Sequence, residues 1–473
     1  MVQNAAELMP RTEALRAPVP ATAAPAVAPD HPSLDPEALI WAEVNLAALA
    51  ANVRVLRSHV GPRVRLVAVV KANAYGHGAV PVATAALAAG ADGLAVGRLD
   101  EAVELRNAGI TAPILVMGPV PPSGAWRCVA LRLTPTVHNL TMAQALAHAA
   151  RAAGRVLPVH VKVDTGMSRF GLLTDEAVAF TSVVAALAGL AVEGLYTHFA
   201  TADADDLTAT RQQLADFLDV VGRLRAAGIA PAVLHAANSA ATLALPAAHL
   251  DQVRVGAALY GLHTTDARNS AANARLNEER WHASGAPSLA SALRPVLTLK
   301  TRVIRLRQVP AGTPVSYGGT YHTPRTTCLA TLAAGYGDGL SVALSNRGAV
   351  LLGGQVCPIV GRVCMDQLVV DCHDRRGIQE GDVAVLIGQQ GAAALSAEDV
   401  AAASGSTNYE VVTRLLARVP RFYHRSQVPA STVHPPNGAT APPLSPLPVI
   451  AAQAAIQTSR GATNGAGFRL PSE

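Results

Sequence analysis

Lys71 ends an apolar run, Val64-Arg65-Leu66-Val67-Ala68-Val69-Val70, and Ala72-Asn73-Ala74-Tyr75-Gly76-His77-Gly78 follows it. Among 38 basic residues only those at 71, 162 and 300 are lysine; the others are arginine. A composition so biased would have placed arginine at 71 had only positive charge been wanted. A guanidinium keeps its proton inside a protein, whereas a buried lysine can shed it and become an amine nucleophile, the chemistry of a Schiff base. A lone lysine at a strand end can equally well snorkel to solvent, so its neighbours must decide.

Those neighbours come in rows. In His160-Val161-Lys162-Val163-Asp164 a strand period puts His160, Lys162 and Asp164 on one face and the valines on the other. Tyr196 and His198 repeat the pattern in Leu195-Tyr196-Thr197-His198-Phe199. A polar row inside a barrel is costly unless it serves a site or is fully paired. His235-Ala236-Ala237-Asn238-Ser239 and Arg254-Val255-Gly256 add small and hydrogen-bonding groups that suit a phosphate meeting backbone N–H groups closely. Singly, His198 reads as a core histidine, Arg254 as an ion-pair member, Ser239 as a helix N-cap and Tyr75 as packing. Their convergence at one rim is what makes a site.

The elements that must position them alternate. Strands are predicted at 64–71, 92–97, 113–118, 133–137, 157–164, 191–199, 232–238 and 252–260. Helical spacing lies between them, as at 79–89, 139–154, 174–188 and 206–228. Eight strands with intervening helices predict a (β/α)8 TIM-type barrel over 38–263, with Lys71, Arg169, His198, Ser239 and Arg254 at or near the C-terminal strand ends. An open doubly wound sheet is the alternative, but no G-x-G-x-x-G follows the first strand. Residues 264–294 read as a linker or insertion. From 295 to 424 the texture becomes all-β, with strands expected at 296–309, 326–333, 348–352, 355–361 and 367–371. A helix is expected near 396–403, and Thr407 and Glu410 have capping-box spacing. The Pro/Ala-rich ends, 1–37 and 425–473, read as disordered tails.

Composition excludes several classes. The net charge is +5, but the bases are scattered, with no block or aromatic interleaving that tracks nucleic acid. Five cysteines without a C-x-x-C pair indicate neither a disulfide framework nor a metal site. No run approaches the ~18 apolar residues of a membrane span, and no compact signal segment opens the chain, so a cytoplasmic protein is expected.

The stretch Ala68-Val69-Val70-Lys71-Ala72-Asn73-Ala74-Tyr75-Gly76-His77-Gly78 resembles the cofactor-lysine signature of bacterial alanine racemases. So, in order, do Asp164-Thr165-Gly166-Met167-Ser168-Arg169, Tyr196-Thr197-His198-Phe199, Ala237-Asn238-Ser239, Val315-Ser316-Tyr317-Gly318, Gly335-Tyr336-Gly337-Asp338-Gly339, Gly361-Arg362-Val363-Cys364-Met365-Asp366 and Asn408-Tyr409-Glu410. The resemblance spans about 40–423 and implies a pyridoxal 5'-phosphate enzyme of fold type III. It implies a barrel with a C-terminal β domain, working as a head-to-tail homodimer that makes D-alanine for peptidoglycan. It implies that Lys71 carries the cofactor, that Tyr75, Ser239, Gly256 and Tyr409 hold its phosphate, and that Asn238 also binds the cofactor. His198 and Arg254 would flank the ring. Tyr317 would act as second base in the partner's site; Arg169 and Met365 would receive the substrate carboxylate, Tyr336 would narrow the approach, and Asp366 would support them. The lysine matching Lys162 is carbamylated in some members; the other reading of Lys162 is a pair with Asp164.

The chemistry suits those roles. Racemisation removes a proton from one face of Cα and returns one to the other, so two bases are wanted on opposite sides. A guanidinium at the ring nitrogen donates no proton and weakens the electron sink, which limits side reactions. Three alternatives remain: a racemase accepting serine or larger side chains, a non-catalytic cofactor carrier, and a decarboxylase of basic amino acids. The carrier lacks the β domain that bears Tyr317 and Met365, and the decarboxylase would not show Tyr196-Thr197-His198 or Arg254 in these places.

Overall fold

The eight apolar segments singled out between residues 64 and 260 are the eight parallel strands of a barrel. The computed structural model describes residues 37–264, 292–373 and 377–425. The expected tails and most of the expected insertion lie outside those residues. The hydrogen-bonded order is Gln252–Val255, Arg65–Val69, Gly93–Val96, Ile114–Val116, Thr134–Val137, Leu157–Asp164, Leu190–Tyr196 and Val233–His235. No continuous ladder joins the last strand to the first. That seam is closed by Asp251 N–H to the Leu234 carbonyl (3.1 Å) and Arg254 N–H to the Ala237 carbonyl (3.0 Å).

Both faces of the Lys71 strand are buried, as its unbroken apolar run requires. Val67 and Val69 meet Ala95 and Leu115 inside the barrel, while Leu66, Ala68 and Val70 join the layer beneath the helices. The strands end early: Arg65–Val69 stops before Lys71, Leu190–Tyr196 before His198 and Val233–His235 before Ser239. The chemically interesting residues therefore open the loops at the C-terminal mouth.

The start of the described chain departs from expectation. Ile40–Asn45, assigned above to the barrel, is a strand of the β domain. It pairs antiparallel with Leu297–Val309 and parallel with Arg421–His424. At its end the Asn45 carboxamide accepts from Ala47 and Ala48 N–H (both 3.0 Å), turning the chain into helix Leu46–Val60 and so into the barrel wall. Leu49 and Leu56 on that helix are fully buried, each contributing about 1.5–3 kcal/mol. Buried Asn52 bonds the Leu259 carbonyl and both backbone groups of Arg294, which ties the barrel's exit to the second domain.

In the β domain the strand Leu297–Val309 is long enough to serve two partners. Its first part pairs with Val383–Gln390 and its second with Thr327–Leu332. Ala349–Leu352, Gln355–Pro358 and Leu368–His373 extend the two arms. Val383–Gln390, Ala393–Leu395 and Arg421–His424 were not foreseen. Helix Ala397–Ser404 has a full capping box from Ser396 and Asp399. At the next helix, Asn408–Thr413, Thr407 caps as expected, but the Glu410 carboxylate turns to Ser406 and Arg414 instead of back to Thr407.

Candidate active site

After Lys71 the backbone turns left-handed. Ala72, Asn73, Ala74 and Tyr75 have φ of 52° to 54°, and Gly76 follows at 82°. The strain starts at four residues with side chains, not at the two glycines, and each costs roughly 1–2 kcal/mol. The Glu101 carboxylate offsets part of this by accepting from Ala72 N–H (2.6 Å) while also receiving Gly97 N–H (2.7 Å) and Arg98 N–H (3.0 Å). The Asn73 carboxamide takes Ala79 N–H at 2.8 Å. Sequence reading missed Glu101; its third place in helix Leu99–Asn107 was the available signal. Burial holds the Lys71 ammonium pKa below its usual value, and Arg169 and Arg254 push the same way against the opposing charge of Glu101.

A hydrogen-bonded chain runs through the barrel to Arg254, which is 3% exposed. Its guanidinium donates to His235 Nδ1 (2.8 Å), the carbonyls of Thr197 (2.9 Å) and Ala236 (3.1 Å), and His198 Nδ1 (3.2 Å). Because arginine only donates, His235 must carry its proton on Nε2 and give it to His160 Nδ1 at 2.8 Å. His160 Nε2 then faces the Glu193 carboxylate at 3.5 Å. Gly194 leaves room for the His160 ring, which a side chain there would meet at 2.6 Å. Tyr196 stacks on His235 at 4.6 Å and shares its hydroxyl with Thr136 at 2.9 Å. Burial pulls the Arg254 pKa down to about 10, so it stays a cation at neutral pH. His198 and His235 are held well below the ordinary histidine value, by burial and then by Arg254, and are neutral acceptors.

Lys162 is 7% exposed, with Nζ 5.1 Å from the Phe170 ring centre and 5.9 Å from that of Tyr196. Burial, then Arg254 and Arg169, bring its pKa to about 8. Among the described residues no ion pair joins it to Asp164. That carboxylate instead accepts from Gly166, Met167 and Ser168 N–H at 2.8–3.1 Å, folding the loop that carries Arg169.

Backbone N–H groups gather at the end of the last strand. The Ser239 hydroxyl accepts from Gly256 N–H (2.9 Å) and Ala258 N–H (3.3 Å). A Cβ at 256 would sit 2.4 Å from the Tyr75 hydroxyl, which burial pushes up to about 12 and so keeps protonated. The Tyr75 and Tyr409 rings meet edge-on at 6.5 Å. The N-cap of helix Ser239–Ala244 is Asn238, whose carboxamide accepts Ala241 N–H, not Ser239.

The remaining predicted residues lie on the β domain. Tyr317 is 71% exposed, Met365 53% and Tyr336 40%. Two loops present them together: Tyr336 N–H bonds the Cys364 carbonyl (3.0 Å) and Gly337 N–H the Met365 carbonyl (2.8 Å). Arg418, also missed, ties the loops by ion pairs to buried Asp338 (2.7 Å) and exposed Asp366 (2.8 Å). Ser316, at φ 61°, fixes the backbone before Tyr317 through its hydroxyl bond to the Arg362 carbonyl (2.6 Å).

A barrel mouth with a half-buried amine, a buried guanidinium and a serine hydroxyl that gathers backbone N–H groups, joined to its own β domain, defines a two-domain barrel enzyme. Residues 44–264 match the family described as alanine racemase, N-terminal domain, and 296–423 match its C-terminal domain. The alanine racemase of Desulfosudis oleivorans is 44% identical over 392 residues, covering 81% of this chain and 96% of that protein. The alanine racemase structure from Streptomyces coelicolor superposes with a TM-score of 0.75 at 38% identity, covering 83% of this chain and all of that one. The Bartonella henselae alanine racemase, solved with covalently bound pyridoxal phosphate, gives 0.69 at 27%, covering 82% and 99%. The chain belongs to the alanine racemase family.

Proposed function

We infer that the protein interconverts L-alanine and D-alanine with pyridoxal 5'-phosphate. The carrying observation is the half-buried Lys71 amine, opening the loop after its strand at the mouth of a barrel whose family catalyses this reaction, with its pKa lowered by burial and by the charges of Arg169 and Arg254. The residues fit the cofactor. Tyr75 packs on Gly256, where a side chain would collide with its hydroxyl; Tyr409 meets Tyr75 edge-on, the Ser239 hydroxyl gathers Gly256 and Ala258 N–H, and Asn238 caps the helix that presents Ser239. Arg254 would face the ring nitrogen, with His198 beside it. When bound, the cofactor supplies the electron sink that takes the pair left as the Cα proton departs.

Lys71 Nζ would hold the proton on one face of Cα. The partner subunit's Tyr317 would hold it on the other, a role that its exposed position on the β domain leaves open to it. Arg169, oriented by the loop wound on Asp164, receives the substrate carboxylate together with the Met365 backbone. Tyr336 narrows the approach, and Asp366 supports that rim through Arg418. A carbamate on Lys162 would set a negative charge among Arg254, Arg169 and Lys71. On this reading the protein works as a cytoplasmic homodimer with shared sites, acting on a small amino acid and supplying D-alanine to peptidoglycan. No helix among the described residues is long and apolar enough to cross a membrane.

The test is spectroscopic and chemical. The purified protein should show an absorption band that borohydride removes, and should exchange the Cα hydrogen of both alanine enantiomers with solvent deuterium. A colourless protein that takes up no pyridoxal phosphate and leaves alanine unchanged sinks the reading.

A further inference from the structure

The left-handed turn after Lys71 is held from two sides. Within the barrel, Glu101 and Asn73 bind it as described. From the β domain, Gly76 is pressed so closely on the Val412 carbonyl that a Cβ would lie 2.1 Å from its oxygen, and a Cβ at 78 would overlap the Tyr423 hydroxyl. Arg421 joins the two sides. Its Nε–H donates to the Gly76 carbonyl at 3.1 Å. The same guanidinium donates to the carbonyls of Leu415 (2.7 Å), Leu416 (2.8 Å) and Val419 (2.6 Å), the stretch that leaves helix Asn408–Thr413. That helix carries Tyr409 toward Tyr75 and Val412 toward Gly76.

A run of left-handed L-residues persists only where its surroundings over-determine it. We propose that Arg421 is a positioning residue for the cofactor lysine: it clamps the β domain of each subunit onto that subunit's own Lys71 turn. On this view the β domain serves two sites at once. Tyr317 and Met365 reach outward, while the 409–421 segment holds the amine at home. Arg418, three residues before Arg421, points to Asp338 and Asp366 and does not touch the turn, so it provides a control in the same segment. The inference rests on Lys71 being the cofactor lysine.

The test is hydrogen exchange by mass spectrometry on the full chain stripped of pyridoxal phosphate, paired with a spectrophotometric titration by pyridoxal phosphate. Arg421→Gln should speed exchange in the 72–78 peptide by about tenfold, leave the 157–164 strand unchanged and weaken cofactor binding by about tenfold. Arg421→Lys should fall between, because one ammonium cannot reach all four carbonyls. Arg418→Gln should keep wild-type exchange at 72–78. Unchanged exchange at 72–78 in both Arg421 variants overturns the proposal. So does a uniform rise throughout the barrel in both, which marks Arg421 as a residue of general stability. Wild-type protein that binds no pyridoxal phosphate defeats the functional reading instead, and the exchange comparison still judges Arg421.

Discussion

Arg254 and His235 meet at 2.8 Å in the centre of the barrel, and that contact sets the tautomer of every histidine behind it. The guanidinium is fully donating, so the imidazole must accept, and the proton order passes outward through His160 to Glu193. His235→Phe would leave one guanidinium nitrogen and His160 Nδ1 without their partner in a dry interior. We expect a loss of about 2–3 kcal/mol in urea unfolding, the cost of a broken bond to a charged group. Gly194→Ala should act on the same chain by displacing the His160 ring. A silent His235→Phe would show the chain to be incidental.

Tyr317→Phe should spare cofactor uptake, because the role proposed for the phenol is proton transfer and not the holding of the phosphate. Cα-deuterium exchange should fall by about 10²–10⁴ for one alanine enantiomer and much less for the other, the range typical of a lost general acid–base group. Equal losses for both enantiomers, together with loss of the absorption band, would make Tyr317 structural.

Lys162 should take up carbon dioxide, since an amine with pKa about 8 is partly neutral at pH 7.5 and stands among cations. Labelled bicarbonate should give a carbamate carbon resonance in wild-type protein and none in Lys162→Ala. The same spectrum from both proteins would place the label elsewhere.

His77 sets an acid limit. It is fully buried, and desolvation takes its pKa to about 4, below its unfolded value near 6.5. The unfolded chain therefore binds the proton first, and stability is complete above about pH 6.5 and lost as pH falls toward 4, by up to ~1.4 kcal/mol per unit. His198 and His235 shift in the same direction. Urea midpoints measured from pH 7.5 to 5 should fall, and His77→Phe should flatten part of the slope. A midpoint rising toward acid would contradict the assignment.

Much of the barrel was legible because it is written locally. A period of two separates Lys162 from Val161, an apolar run marks a strand buried on both faces, and a lysine at its end, among so many arginines, marks an amine able to lose its proton. Those features need no knowledge of what the strand will touch. Tertiary structure alone decided that Ile40–Asn45 would leave the barrel for the β domain, because its pairing with Leu297–Val309 and Arg421–His424 joins residues hundreds of positions apart. It also decided that Glu101, Arg418 and Arg421 would brace the site. A charged side chain carries no sign of its partner in its own segment; only the folded chain brings the Gly76 carbonyl within reach of Arg421, and only packing makes four left-handed residues the lowest state available to them.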